Sequence, residues 1–190
     1  KIKLIEFYAE KYSKVLVGGA MANTILLANG HEIGNSVHEK KMLKFSKEII
    51  DQYSDKLIVP IDAIVTDKKL QKNPKSKLIN EIEKNDMIVD IGPQTRMLFF
   101  NEILKAKIVL WNGPLGLFEN KNFEIGTKEI ALYLSKIKGN GKVTIIGGGD
   151  TAAAISKFKL NKEMTHVSTG GGSSMELMSG NKLVAIDAME

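Results

Sequence analysis

Apolar residues along the chain occur in two patterns, at helical spacing and in short continuous runs. The two patterns alternate in a regular order. Near the amino terminus apolar residues recur at helical spacing, which predicts an amphipathic helix that ends near Tyr12. A short apolar run at residues 14–17 then predicts a strand, and a second helical pattern covers residues 20–28. Strand and helix continue to alternate, which predicts a parallel sheet covered by helices on both faces.

The remaining elements follow from the same two patterns. The predicted strands are residues 14–17, 56–60, 61–66, 87–90, 107–111, 143–147 and 165–169. The predicted helices are residues 2–12, 20–28, 37–53, 94–105, 123–137, a helix that begins near residue 150, and residues 173–178. Residues 67–85 are rich in lysine and asparagine and are expected to form an exposed excursion. We therefore expect an α/β fold, a Rossmann-like three-layer parallel sheet with helices on both faces, and residues 1–190 are enough for one full-sized core with room for a small appendage.

Glycine follows the end of several predicted strands. Ligands of parallel α/β sheets bind outside the carboxyl ends of the strands, where the turns converge. Such turns form a broad floor suited to a polyanion with a flat base attached. The glycines at this predicted edge are Gly18, Gly92, Gly113, Gly147 and Gly170.

The strongest local signal is at residues 143–155, where a β-branched run breaks into three glycines followed by Asp150 and Thr151. The first amides of a helix lack intrahelical acceptors and favour an anion, and glycines let it approach the backbone. A carboxylate beside a phosphate is explained if Mg²⁺ lies between them. The stretch therefore predicts a nucleotide-phosphate site that needs a metal. The alternative is an ordinary glycine turn with Asp150 as the helix N-cap.

Two other phosphate-binding patterns would give this stretch a different function. Residues 147–152 fit the loose pattern G-x-G-x-x-A of dinucleotide-binding folds, which also requires an acid about 20 residues later at the end of the next strand. That strand ends in Ser168-Thr169-Gly170, so hydride transfer is unsupported. The P-loop pattern G-x-x-x-x-G-K-[ST] does not occur in the sequence.

Several single residues have a candidate role and an ordinary structural alternative. Glu119 closes a glycine- and proline-containing loop at the predicted edge, where a carboxylate can accept both hydroxyls of a ribose; an exposed surface acid is the alternative. Trp111 is assigned to packing. His31 and His38 are expected on the surface, and His166 is expected in the core because it lies in a strand.

Composition narrows the class of protein. Hydrophobic residues make up 43% of the chain, and no apolar run approaches the roughly 18 residues of a membrane span. There is no cysteine and no signal-peptide pattern, so we expect a cytoplasmic protein without a membrane partner. The net charge is +5, but the lysines are spread along the chain, so no nucleic-acid partner is expected. The chain opens on Lys1 within a helical pattern, and we expect it to be a piece of a longer protein.

Taken together, the motifs resemble those of the phosphoglycerate kinase family. They stand in family order at residues 18–24 (Gly-Gly-Ala-Met-Ala-Asn-Thr), 90–93 (Asp-Ile-Gly-Pro), 111–119 (Trp-Asn-Gly-Pro-Leu-Gly-Leu-Phe-Glu), 147–151 (Gly-Gly-Gly-Asp-Thr) and 168–172 (Ser-Thr-Gly-Gly-Gly). The resemblance covers only the carboxyl-terminal, nucleotide-binding half of that enzyme. It implies that a preceding strand with a first phosphate-binding lysine, and the amino-terminal substrate domain, are absent from this chain.

The resemblance also implies roles for individual residues. The adenine pocket would involve Gly18, Gly19 and Gly92, and the ribose would contact Pro114 and Glu119. The nucleotide phosphates would contact Lys1, Gly148, Gly149 and Thr151, and Asp150 would be the Mg²⁺ carboxylate. The phosphoryl group in transit would face Gly170, Gly171 and Gly172, which with Lys1 form the catalytic set. Gln94, Ser173 and the tail after Gly180 depart from the family pattern, and no role is expected for that tail.

The activity that the resemblance implies is glycolytic: phosphoryl transfer between 1,3-bisphosphoglycerate and ADP, giving 3-phosphoglycerate and ATP. ATP or ADP and Mg²⁺ would be the cofactors. The phosphoglycerate would be held by the absent amino-terminal domain, and the full-length protein would be a monomer. We expect this segment to bind the Mg²⁺–nucleotide without turnover. A nucleotide-binding module without catalysis is the alternative.

Overall fold

The computed structural model describes residues 2–138 and 141–168. The helices are α1 (Lys3–Lys11), α2 (Gly19–Ala28), α3 (Leu43–Tyr53), α4 (Pro93–Lys105), α5 (Ile125–Ile137) and α6 (Gly149–Lys157). The strands are β1 (Val15–Leu16), β2 (Leu57–Ile58), β3 (Asp62–Asp67), β4 (Lys75–Leu78), β5 (Asp86–Ile91), β6 (Ile108–Asn112), β7 (Val143–Gly147) and β8 (His166–Val167). The chain divides into two compact units: unit 1 is Lys1–Ile103 with Pro114–Ile130, and unit 2 is Leu104–Gly113 with Ala131–Glu190.

In unit 1, the first three helices share a core with the parallel pair of strands β1 and β2. Val15 of β1 lies opposite Leu57 of β2. The core takes one apolar face from each helix, including Ile5 of α1, Ile25 of α2 and Ile49 of α3, which are all at most 2% exposed. Burying a side chain of this size contributes roughly 1.5–3 kcal/mol, so these helices are held mainly by packing.

The segment before α3 differs from the prediction. A helix was expected over residues 37–53, but the α-helix begins at Leu43, after a 3₁₀ turn at Lys40–Met42. Two side chains of α2 explain the extended stretch: Asn23 Nδ2 donates to the carbonyl of Val37 at 3.0 Å, and Thr24 Oγ1 accepts from the Glu39 N–H at 3.0 Å. These two bonds hold residues 37–39 against α2, and the backbone of Glu39 is extended, so the helix begins only after this stretch.

A second sheet of unit 1 is antiparallel, with the strand order β4-β3-β5. β3 lies in the middle, and a bulge at Ile64 and Val65 shifts its register against β5. The expected exposed excursion at residues 67–85 contains β4, which forms a hairpin with β3. The turn of this hairpin is closed by Asp67, whose Oδ1 accepts from the N–H groups of Gln71 at 2.8 Å and Lys72 at 3.0 Å.

Unit 2 contains a parallel sheet with the order β6-β7-β8, and α6 follows β7 directly. The register places Asn112 opposite Gly147, so the turns after β6 and β7 leave the sheet at the same edge. Ile146 in β7 and Ile155 in α6 are both fully buried. His166 in β8 is exposed, so its expected place in the core is wrong.

These observations confirm the α/β fold class, with parallel sheets and flanking helices; the antiparallel pairing of β3 was not foreseen. Across residues 2–138 and 141–168, no helix combines the length and the apolar character needed to cross a membrane.

Candidate functional site

The three-glycine turn of unit 2 has the predicted strand-turn-helix form. β7 ends at Gly147, and α6 begins at Gly149 with Gly148 as its N-cap residue. Asp150 lies in the first turn of α6 and is exposed, as is Gly149. The alternative that Asp150 is the N-cap is therefore wrong. The early amides of α6 and an exposed carboxylate lie together at the end of β7, and helix amides favour anions while carboxylates favour Mg²⁺.

The turn needs glycine at position 148 for two separate reasons. Its φ angle is +88°, in the left-handed region that residues with a side chain rarely adopt. A Cβ atom there would also lie 2.5 Å from Oδ1 of Asn112. Gly149 is different, because a Cβ atom on it would meet nothing within 4 Å. The open space at Gly149 lies at the helix start where a phosphate would approach.

Thr151 links this turn to the turn that follows β6. Its Oγ1 accepts a hydrogen bond from the Gly113 N–H at 2.7 Å, and the residue is fully buried. Gly113 is held from a second direction, because Trp111 Nε1 donates to its carbonyl at 2.7 Å. Trp111 is 8% exposed, which confirms its assignment to packing. The hydroxyl that was expected to contact phosphate thus has a structural partner as well.

In unit 1, the glycine pair after β1 lies against the residues that follow β6 in sequence. A Cβ atom on Gly18 would lie 2.4 Å from Cδ2 of Leu115, and one on Gly19 would lie 3.2 Å from the carbonyl of Pro114. Gly19 also has a φ angle of +60°. The structure therefore brings together three of the expected base and ribose residues, Gly18, Gly19 and Pro114.

The remaining expected ribose residue, Glu119, lies on a loop that the rest of unit 1 holds firmly. We call residues 114–124 the 114–124 loop. The Leu117 N–H donates to the carbonyl of Val89 in β5 at 2.8 Å, and the Leu115 N–H donates to Thr127 Oγ1 at 3.1 Å. Phe118 and Phe123 are 6% and 1% exposed, whereas Glu119 is exposed. The loop thus buries the side chains of Phe118 and Phe123 and presents Glu119 at the surface.

Two buried aspartates, Asp62 and Asp90, hold the backbone near Gly92 and the 114–124 loop. The sequence alone indicates a role for neither. Asp62 is 1% exposed and caps the start of α4: its carboxylate accepts from the N–H groups of Gln94 at 2.9 Å and Thr95 at 2.7 Å. Gly92 lies over this cap, since a Cβ atom there would be 2.2 Å from Asp62 Cγ. Gly92, which is expected in the adenine pocket, thus lies where the backbone passes close to the Asp62 carboxylate that caps α4.

The second buried aspartate is Asp90, at the carboxyl end of β5. It is 1% exposed; its Oδ1 accepts from the Ile91 N–H at 2.9 Å and its Oδ2 from the Gly126 N–H at 2.5 Å. Burial raises the pKa of Asp90 to about 7, while the two N–H donors and Arg96 lower it and Glu129 raises it further. The bond from Gly126 joins residues 36 apart in sequence, so no local pattern identifies Asp90 as its acceptor.

The other expected site residues fall outside the described part of the chain. These are Lys1 and the three glycines Gly170, Gly171 and Gly172. Their expected contacts with the phosphates and with the phosphoryl group in transit stay predictions. The described residues thus form two groups: Gly148, Gly149, Asp150 and Thr151 in unit 2, and Gly18, Gly19, Gly92, Pro114 and Glu119 in unit 1.

Comparisons with known proteins agree on one family. A family model described as phosphoglycerate kinase matches residues 1–181. The chain is 43% identical to the phosphoglycerate kinase of Pelodictyon phaeoclathratiforme and 42% identical to that of Spiroplasma citri, covering all of this chain in both cases but 49% and 46% of those proteins. The solved structure of phosphoglycerate kinase from Coxiella burnetii matches 98% of this chain and 48% of its own, with a TM-score of 0.88 and 35% identity. The chain therefore spans about half the length of the relatives it matches.

Proposed function

Because the chain belongs to the phosphoglycerate kinase family, we propose that it supplies the Mg²⁺–nucleotide site for reversible phosphoryl transfer between 1,3-bisphosphoglycerate and ADP. The products of the forward reaction are 3-phosphoglycerate and ATP. The observation that carries the proposal is the start of α6, where an exposed carboxylate lies beside the first amides of a helix after a glycine turn. Residues 1–190 are proposed as the nucleotide-binding domain of a cytoplasmic, monomeric full-length enzyme.

Unit 2 is proposed to bind the phosphates and the metal. The amides of Gly148 and Gly149 lie at a helix start, where partial positive charge favours phosphate oxygens. Asp150 fits Mg²⁺, because its carboxylate is a hard oxygen ligand that is exposed beside those amides. Bound there with phosphate oxygens, Mg²⁺ would neutralise the negative charge of the nucleotide. Thr151 contributes by fixing the turn, whatever further contact its hydroxyl makes.

Unit 1 is proposed to bind the adenine and the ribose. Gly18 and Gly19 let the backbone after β1 approach Leu115 and Pro114 closely, and the flat face of the base is proposed to pack beside this contact. Glu119 is exposed on the 114–124 loop, and its carboxylate can accept hydrogen bonds from the two ribose hydroxyls. Gly92 would complete the wall of the adenine site, as the family resemblance implies.

In the proposed reaction the protein positions the two substrates and neutralises the negative charge of the phosphates, and it forms no covalent intermediate. An acyl phosphate and ADP exchange a phosphoryl group without the need for a general base, since the attacking oxygen belongs to a phosphate. Lys1, Gly170, Gly171 and Gly172 are proposed to contact that group during transfer. The phosphoglycerate is proposed to bind to the other half of the full-length protein, so this chain alone would bind nucleotide without turnover.

Calorimetric titration of ADP tests this proposal. With Mg²⁺, ADP should bind both to the full-length protein and to this chain alone, and Asp150→Ala should weaken the binding in both. A coupled assay with ATP and 3-phosphoglycerate should show turnover only for the full-length protein. Binding without turnover in the full-length protein would instead identify a nucleotide-binding module. A folded full-length protein that does not bind ADP would overturn the proposal.

A further inference from the structure

The 114–124 loop lies against one buried carboxylate, that of Asp90, near its start at Gly116 and just beyond its end at Gly126. Asp90, at the end of β5, accepts the Gly126 N–H at 2.5 Å, and Gly126 is the second residue of α5. The amide of Gly126 is one of the early helix amides that have no intrahelical acceptor. A carboxylate at this place also interacts favourably with the helix dipole, so Asp90 fixes the point where the loop ends and α5 begins.

Two glycines show how closely the backbone approaches this carboxylate. A Cβ atom on Gly116 would lie 2.4 Å from Asp90 Oδ1, and one on Gly126 would lie 2.3 Å from the same oxygen. Neither glycine has a φ angle in the left-handed region, so close approach accounts for both rather than an unusual backbone conformation. Gly116 lies three residues before Glu119 in the sequence. The carboxylate therefore lies against the backbone on either side of Glu119.

From this geometry we propose that Asp90 is a positioning residue, which orders the 114–124 loop so that Glu119 and Pro114 are placed to bind the ribose of the nucleotide. Asp90 does this without touching the nucleotide, since it is 1% exposed beneath the loop. The inference rests on the proposed function, because it assigns the loop to ribose binding.

The charge state of Asp90 matters for this role. Two backbone N–H groups, of Ile91 and Gly126, donate to different oxygens of the carboxylate. Protonation turns one of these acceptors into a donor, which then opposes an N–H group. The charged groups near Asp90 are Arg96 of α4 and Glu129 of α5, whose Nε and Oε2 atoms are 2.7 Å apart. Both hydrogen bonds are therefore complete only when Asp90 is a carboxylate.

The test uses the full-length protein at pH 8.5 and the isosteric substitution Asp90→Asn, which replaces one acceptor oxygen with an NH₂ donor. ADP affinity should fall roughly 10- to 100-fold, the fold-change expected for one hydrogen bond to a charged group. The affinity for inorganic tripolyphosphate, which has no ribose or base, should stay within twofold. Amide hydrogen exchange should rise at Leu117 and Gly126 in the absence of nucleotide.

Asp67→Asn is the matched control. Asp67 also accepts two backbone N–H groups, but it closes the β3–β4 hairpin rather than the 114–124 loop. Its ADP affinity should equal that of the wild type. Equal ADP affinity of Asp90→Asn and wild type would overturn the positioning role, and so would equal losses of ADP and tripolyphosphate affinity in Asp90→Asn.

A wild type that fails to bind ADP would instead overturn the proposed function itself, so the two failures are distinguishable. If Asp90→Asn does not fold, Gly116→Ala takes its place, because the added methyl group pushes the loop away from the carboxylate. The same selective loss of ADP affinity is expected for Gly116→Ala, and a loss shared by tripolyphosphate would overturn the inference.

Discussion

Thr151 of α6 accepts a hydrogen bond from the backbone N–H of Gly113, with 2.7 Å between Oγ1 and the amide nitrogen. The bond joins the start of a helix to the turn of the neighbouring strand β6, and the threonine is fully buried. Family resemblance assigns Thr151 to the phosphates, but its surroundings also require it for the shape of the turn. Substitutions at this position therefore report on stability as well as on binding.

We predict that Thr151→Val lowers the stability of the full-length protein more than Thr151→Ser. Valine keeps the shape but leaves the Gly113 N–H without its acceptor, which costs about 1–3 kcal/mol. Serine keeps the acceptor and loses one methyl group, at about 1 kcal/mol. Urea unfolding monitored by circular dichroism measures both changes. A serine variant that unfolds at a lower urea concentration than the valine variant would contradict this prediction.

The glycines of the same turn should respond in opposite ways. Gly148→Ala is expected to lower the free energy of unfolding by about 1–3 kcal/mol or more. Gly148 has a φ angle of +88°, and an added methyl group would meet the side chain of Asn112. Gly149→Ala should be neutral or stabilising by roughly 0.4–1 kcal/mol, since alanine suits a helix and nothing lies within 4 Å.

ADP binding should be affected by Gly149→Ala even though the stability of the protein is kept. The added methyl group of Gly149→Ala occupies the space through which a phosphate would reach the helix amides. We expect ADP affinity to fall about tenfold or more in Gly149→Ala although thermal stability is kept, which calorimetry and thermal unfolding together would reveal. Unchanged ADP affinity in this variant would count against phosphate binding at the start of α6.

Asp150→Asn should reduce the Mg²⁺ dependence of nucleotide binding. Asp150 is exposed and lies in the first turn of α6, so the substitution should change stability by no more than about 0.5 kcal/mol. With Mg²⁺ present, ADP affinity should fall about tenfold or more, and without Mg²⁺ the variant should bind as well as the wild type. Glu163→Gln, at another exposed acid of unit 2, is the control and should leave both affinities unchanged. Equal losses with and without Mg²⁺ would indicate a role other than metal binding.

How far the sequence predicts this structure depends on whether the signal is local. The turn at Gly148 was predicted because strand end, glycines and helix start are adjacent in the chain. The β3–β4 hairpin was missed because β4 (Lys75–Leu78) is short, polar and mostly exposed, so it leaves no hydrophobic pattern in the sequence. The late start of α3 depends on Asn23 and Thr24, two side chains of a different helix.

The same distinction holds for the candidate site. Asp150 and the glycine turns could be identified because helix starts and strand ends carry local patterns. Asp62 and Asp90 could not, because each binds amides that lie more than 30 residues away in sequence, at Thr95 and Gly126. Burial and partners of this kind arise only when the chain is folded. Gly116 and Gly126 can be seen in the sequence, but the sequence does not show the Asp90 carboxylate that explains why both positions are glycine.

The last prediction concerns pH. Burial raises the pKa of Asp90 from 3.8 in the unfolded chain to about 7 in the folded one, so the folded state binds this proton more tightly. The resulting contribution to stability is fully present below pH 3.8 and is lost as the pH rises to about 7. This contribution to the free energy of unfolding is at most roughly 4 kcal/mol, because the two pKa values differ by about three units and each unit corresponds to about 1.36 kcal/mol.

Replacing Asp90 with asparagine removes this contribution, so the wild type should lose stability relative to Asp90→Asn between pH 4 and pH 7, and the difference should be constant above about pH 8. Urea unfolding of both proteins at each pH measures it. Asp67→Asn provides a control of opposite sign, because bonds from the Lys72 and Gln71 backbone lower the pKa of Asp67. The stability that Asp67 contributes is fully present above pH 3.8 and is lost as the pH falls from that value to the lower pKa of the folded protein. A difference between wild type and Asp90→Asn that does not change with pH would show that the folded protein leaves the ionisation of Asp90 unchanged.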